Sequence, residues 1–165
     1  MLQRSVLRMG GVFTGILIAV LAGGSAAVAG PTNHDAAVQV LTAPPAPSNA
    51  GAANLRTAAA ASPGISPSVR TIHVSPPGSF NCDPGNLCTW VWDPTTSDFK
   101  VFFLFACNRY SLSNWFGDGG YADNQTGGVR STFYGQSGNV LTSFTPDFPA
   151  THGYNWDRVW SIRNC

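Results

Sequence analysis

The chain of 165 residues contains no glutamate, and Lys100 is its single lysine. Long amphipathic helices are normally built with Glu and Lys, so their absence argues against a helical protein. Charged residues make up 10% of the chain and the formal net charge is +1, which excludes the basic footprint of a nucleic-acid-binding protein. Aromatics are nearly missing before Phe80, and 18 of the 19 Phe, Trp and Tyr residues lie at or beyond it. The chain is also too short for a Rossmann or TIM-type scaffold or a large two-domain enzyme. What is present is an aromatic-rich stretch of 87 residues from Ser79 to Cys165, able to bury much apolar area in a small volume.

The first 29 residues read as a signal peptide. Arg4 and Arg8 supply positive charge, Val12 to Leu21 is an uncharged apolar run, and Ala27-Val28-Ala29 is an A-x-A site with cleavage expected before Gly30. The apolar run is too short to span a bilayer as a stable helix, so export is favoured over a membrane anchor. The expected destination is extracellular, with no membrane association after cleavage. Residues 30–78 are rich in Ala, Pro and Ser and lack apolar periodicity. Such a segment buries too little surface to offset its ordering entropy. It is expected to be either a disordered linker or a pro-region removed later. Ile72-His73-Val74 is the one short strand candidate within it, with no role assigned to His73. The folded domain is therefore expected over 79–165.

Four cysteines remain in that domain: Cys82, Cys88, Cys107 and Cys165. An even count in an exported chain points to disulfides, with three possible connectivities. The Pro84-Gly85 pair turns the chain between Cys82 and Cys88, which brings these two within bridging range and leaves Cys107 for Cys165. In the chain-entropy account the long loop contributes on the order of 4 kcal/mol and the short one about 2. The spacing does not fit a zinc site.

The rest reads as β structure. Strands are expected at Leu87 to Trp92, Phe99 to Phe105, Val129 to Tyr134, Val140 to Phe144 and Val159 to Arg163, separated by turn-forming residues. Phe99 to Phe105 is apolar at both parities, so it is expected to be covered on both faces. Ser111 to Gly120 is read as a loop, because Ser, Asn and Gly dominate it. Short strands at this spacing predict an antiparallel sandwich or barrel. A weak repeat at an offset of 33 sets Tyr121 on Tyr154, Asn124 on Asp157, Val129 on Ile162 and Arg130 on Arg163.

Cys82-Asp-Pro-Gly-Asn-Leu-Cys88-Thr-Trp90 resembles the opening of the small secreted peptidase-inhibitor-like proteins of actinobacteria. That family includes a metalloproteinase inhibitor and is similar in fold to βγ-crystallins. The likeness extends over about residues 80–165. It implies a disulfide-stapled double Greek-key sandwich. It also implies weak calcium binding, since Trp156 to Ile162 and Asp123 to Val129 resemble the crystallin-type acidic stretch with its hydroxyl residues. The implied ligands are Asp123, Asn124, Asp157 and Ser161, hard oxygen donors of the kind calcium takes. Both copies are degenerate: Gly127 and Gly128 replace hydroxyls in the first, and Trp156 and Trp160 replace ligands in the second.

No nucleophile elbow surrounds Ser161, and Asp118, Asp123, Asp147 and Asp157 all sit in turn-rich contexts, so no enzyme is expected. No resident cofactor is expected beyond calcium. The resemblance implies a monomeric inhibitor that offers a rigid loop to an extracellular protease. The candidate loops are Ser111 to Gly120, with Trp115 and Phe116, and Thr145 to Gly153, with Phe148. The alternative is a secreted structural or cell-surface interaction module, carbohydrate-binding through exposed tryptophans or weakly calcium-binding.

Overall fold

A computed structural model describes residues 40–48 and 61–165. The expected signal peptide and much of the expected linker lie outside the described residues. Twelve strands and no helix are found among those described. They are β1 (Val40–Thr42), β2 (Gly64–Ser66), β3 (Arg70–Val74), β4 (Ser79–Asn81), β5 (Asn86–Asp93), β6 (Asp98–Leu104), β7 (Arg109–Ser113), β8 (Asp118–Asn124), β9 (Ser131–Tyr134), β10 (Val140–Phe144), β11 (His152–Asn155) and β12 (Ser161–Arg163).

The strands form two five-stranded antiparallel sheets and one two-stranded ribbon. Sheet one has the order β11-β8-β5-β6-β3, and sheet two the order β10-β9-β12-β7-β2. From β5 onward the chain divides into two successive four-stranded units. The first, second and fourth strands of each stay in one sheet, while the third crosses over: β7 joins sheet two and β11 joins sheet one. Each unit thereby adds a strand to the other's sheet.

Two apolar clusters follow from strand parity, since alternate side chains point to opposite faces. Leu87, Val91, Phe102 and Leu104 of sheet one meet Tyr110, Phe133 and Ile162 of sheet two, with Trp115, Trp156 and Val159 from the loops. The other parity of sheet one, with Cys88, Trp90, Trp92, Phe99, Val101 and Phe103, packs under Leu41, Ala43 and Phe80 of the β1–β4 ribbon and its flank. Every residue of β5 is consequently buried. The expectation that Phe99 to Phe105 is covered on both faces is met for β6 as far as Leu104, whereas Phe105 is 70% exposed beyond the strand end.

Three expectations need correction. The folded unit begins upstream of Ser79, because β1, β2 and β3 are drawn from the segment read as disordered. Edge strands need mainly backbone pairing and a few apolar contacts, and Leu41, Ala43, Ile65, Val69, Ile72 and Val74 supply them. Ser111 to Gly120 is not a loop throughout: it contributes to β7 and β8, and only Asn114–Gly117 connects them. The repeat at an offset of 33 does not relate equivalent positions. Tyr121 belongs to the fourth strand of its unit and Tyr154 to the third strand of the next, and the two strands are sheet neighbours. The structural equivalents are β8 and β12.

Disulfides join Cys82 to Cys88 and Cys107 to Cys165, the pairing expected. The second ties the segment after β6 to the end of β12 across a separation of 58 residues. Asn164 reinforces this join, with Oδ1 accepting from the Asn108 amide at 3.1 Å and Nδ2 donating to the Leu104 carbonyl at 3.0 Å.

Candidate functional site

The β7–β8 and β11–β12 connections meet at one end of the sandwich. The β7–β8 loop is short, and its backbone turns through positive φ at Asn114 (60°) and Gly117 (71°). Its second residue, Trp115, is 3% exposed and plugs the gap between the sheets. The Trp115 ring lies 4.5 Å from that of Phe102 and meets Trp156 edge-on at 4.9 Å. Its Nε1–H donates to the Gly64 carbonyl at 2.8 Å. Asn114 Nδ2 donates to the Ser62 carbonyl at 3.3 Å. On the other flank the Gly117 amide donates to Asp157 Oδ1 at 2.7 Å, and the Gly117 carbonyl accepts from the Trp156 amide at 2.8 Å. The loop is thus pinned at three of its residues. The remaining one, Phe116, is 67% exposed.

Room for this arrangement comes from glycine. A Cβ at Gly119 would collide with the Trp90 carbonyl and lie 2.6 Å from Trp156 Nε1, and one at Gly120 would lie 2.5 Å from the Trp90 ring. Glycines inside β8 therefore let Trp156 seat fully, with Nε1–H donating to the Trp90 carbonyl at 2.9 Å. Gly119 and Gly120, read as the end of a loop in the sequence, are instead the clearance for two indoles.

The other expected binding residues fall differently. Trp115 is a buried anchor and not a contact residue. Phe148 is half-buried against the outer cluster of sheet one, and its amide donates to the Asp123 carbonyl at 3.2 Å. Beside it His152 Nε2 lies 2.7 Å from Asp147 Oδ2, and the His152 ring stacks on Tyr121 at 4.8 Å. Of the five tryptophans, Trp90, Trp92, Trp115 and Trp156 are buried and Trp160 alone is exposed, so the molecule has no exposed pair of indoles.

The calcium ligands implied by resemblance do not assemble. Asp123 is fully buried, accepting from Ser131 Oγ at 3.1 Å and from the Gln125 amide at 3.2 Å. Burial pushes its carboxyl above the usual value, against the lowering effect of the bonds from Gln125 and Ser131 and with a further push from Asp147. Asn124 Nδ2 donates to the Cys82 carbonyl at 2.7 Å. Asp157 Oδ1 takes the Gly117 amide, and Ser161 Oγ accepts from Arg109 Nε at 3.1 Å, so a guanidinium engages one of the implied ligands. Among the described residues no group of three or more His, Cys, Asp or Glu is placed to hold a metal. The residues present do not fit the ion.

A second polar cluster escaped sequence reading. Asp93, fully buried at the end of β5, accepts at Oδ1 from the Thr95 amide at 2.9 Å and from Thr95 Oγ at 2.6 Å. Its Oδ2 accepts from Ser62 Oγ and lies 3.3 Å from His73 Nε2. Lys100 Nζ donates to Ser62 Oγ at 2.9 Å and to the Pro63 carbonyl at 2.8 Å. Desolvation pushes the Asp93 carboxyl up, but the bonds from Ser62, Thr95 and His73 outweigh it, and the group sits below its ordinary value. The cluster clamps the chain where it enters β2, and there the Ser62 and Gly64 carbonyls hold the β7–β8 loop. His73, given no role in the sequence reading, is part of it. Its only early signal was the isolated strand candidate at Ile72 to Val74.

Comparison with protein-family models, with curated proteins and with solved structures returns no match, so the geometry of this loop and its anchors stands as the basis for any functional reading.

Proposed function

We propose that the protein is a secreted peptidase inhibitor of the crystallin-like type, blocking an extracellular protease with the Asn114–Gly117 loop and acting as a monomer without catalysis of its own. The observation that carries this reading is Phe116, an exposed aromatic at the one unpinned position of a loop fastened on both flanks. A loop held in its bound shape before contact loses little entropy on binding, which favours affinity. Aromatic anchors of this kind commonly dominate interface energetics. The exchange of third strands between the two four-stranded units supports the double Greek-key reading, and the two disulfides are compatible with an oxidising extracellular setting. With four of five indoles buried, the alternative of a neutral-sugar platform built on paired tryptophans has no specific support.

The test is a titration of a thermolysin-type metalloprotease and of trypsin- and subtilisin-type serine proteases with the purified, oxidised protein. Inhibition of one class is expected, and Phe116→Ala should weaken it at least tenfold with an unchanged unfolding midpoint. No inhibition of any of them, or equal inhibition by Phe116→Ala, would remove the reading.

A further inference from the structure

Among the described residues the large apolar side chains left exposed are Val40, Phe105, Phe116, Val140 and Trp160. The last three share one end of the sandwich. Phe116 stands on the β7–β8 loop, Trp160 immediately precedes β12, and Val140 opens β10. Backbone bonds join these positions. Gly117, next to Phe116, donates to Asp157 and accepts from the Trp156 amide, on the connection that leads to Trp160. The Trp160 carbonyl accepts from the Leu112 amide at 2.9 Å, and the Trp160 amide donates to the Tyr134 carbonyl at 2.8 Å. Tyr134 is in turn the strand partner of Val140. The three side chains therefore follow the strand order of sheet two, β10-β9-β12-β7. Phe105 lies at the opposite end, where the chain passes from β6 to β7, and Val40 lies on the ribbon.

The fold makes little use of Trp160 and Val140. Each buried indole packs on another aromatic ring, as Trp90 does on Phe80 and Trp92 on Phe99, whereas Trp160 packs on none among the described residues. Neither Trp160 nor Val140 belongs to an apolar cluster. Exposed Asp118, Asp157 and Arg158 stand on the same connections. Neighbouring exposed apolar groups with a polar rim are the mark of a contact surface.

Area points to the occupant. A specific protein–protein interface buries about 800 Å² on each side. One aromatic side chain supplies only about 150–250 Å² of it. The Asn114–Gly117 loop, with Phe116 as its one exposed aromatic, is too small to hold a protease by itself. Trp160 and Val140 are the exposed apolar groups continuous with it.

We propose that Phe116, Trp160 and Val140 form one docking face for the protease. Phe116 enters the cleft, and Trp160 and Val140 rest on an apolar shelf of the enzyme beside it. This rests on the inhibitor reading and names the target surface that the reading needs.

The experiment measures inhibition constants of the full oxidised protein against whichever of the thermolysin-, trypsin- and subtilisin-type enzymes it blocks. Trp160→Ser should weaken inhibition about fivefold or more and Val140→Ser about threefold, chiefly through faster dissociation. Phe105→Ser, which removes a more exposed aromatic from the opposite end, should leave the constant within about 1.5-fold. Unchanged unfolding midpoints show that each variant keeps its fold. Inhibition weakened by Phe116→Ala but not by Trp160→Ser or Val140→Ser would overturn this proposal and leave the inhibitor reading standing. No inhibition by the wild-type protein would remove both. A dimer in sedimentation velocity that Trp160→Ser splits would assign the face to a second copy and also overturn the proposal.

Discussion

Among the described residues, sheet one is covered on both faces and sheet two on one. In sheet one, β5 is buried at every position and β6 at all but its polar starts, because the second sheet lies on one side and the β1–β4 ribbon on the other. In sheet two, β7 alternates: Arg109, Ser111 and Ser113 are exposed, while Tyr110 and Leu112 turn inward. The difference separates two tasks. The doubly covered sheet supplies rigidity, and its loops can be pinned from a fixed frame. The singly covered sheet keeps a polar face available to solvent.

The largest loss should come from removing what joins the sheets. Trp156 is fully buried, packs against Trp115 and Phe133, and bonds the Trp90 carbonyl. Trp156→Ala should cost about 3–5 kcal/mol in urea unfolding. Next comes Asp93, one of two buried carboxylates of sheet one. Asp93→Asn leaves donors around it poorly satisfied and should cost about 1–3 kcal/mol at neutral pH. Because the folded Asp93 carboxyl lies below its ordinary value of 3.8, its contribution is complete above that value and is lost as pH falls through the folded one. The difference between wild type and Asp93→Asn should therefore shrink in acid. Asp123 has the opposite sign: its folded carboxyl is raised, so its ionisation opposes folding as pH rises. The smallest effect belongs to the exposed indole, and Trp160→Ala should change stability by no more than about 0.5 kcal/mol. A large loss there would mean that sheet two is covered as sheet one is.

Legibility in the sequence followed the same division. Strands β5 and β6 were readable because double burial writes a continuous apolar run, and β9, β10 and β12 because turn residues bound them. Strands β8 and β11 were not, since Gly119, Gly120 and Gly153 resemble loop chemistry. At Gly119 and Gly120 the reason lies in long-range packing, the seating of Trp90 and Trp156, which no local window contains. β1, β2 and β3 were hidden by Ala/Pro/Ser-rich surroundings. The aromatic wealth of the loop is visible at once, but which ring is buried and which exposed is not. Trp115 and Phe116 are adjacent, and only the fold decides that the first plugs the core and the second faces solvent.

Both flanks of the loop at Phe116 are bonded to the frame, and its rigidity follows from those bonds. Amide hydrogen exchange at Gly117 and Trp156 tests this most directly, since these amides donate to Asp157 and to the Gly117 carbonyl. Protection close to that of the β5 amides is predicted, with Asp157→Ala releasing Gly117 selectively. Exchange of both amides at the rate of an unprotected loop in the wild-type protein would contradict the account.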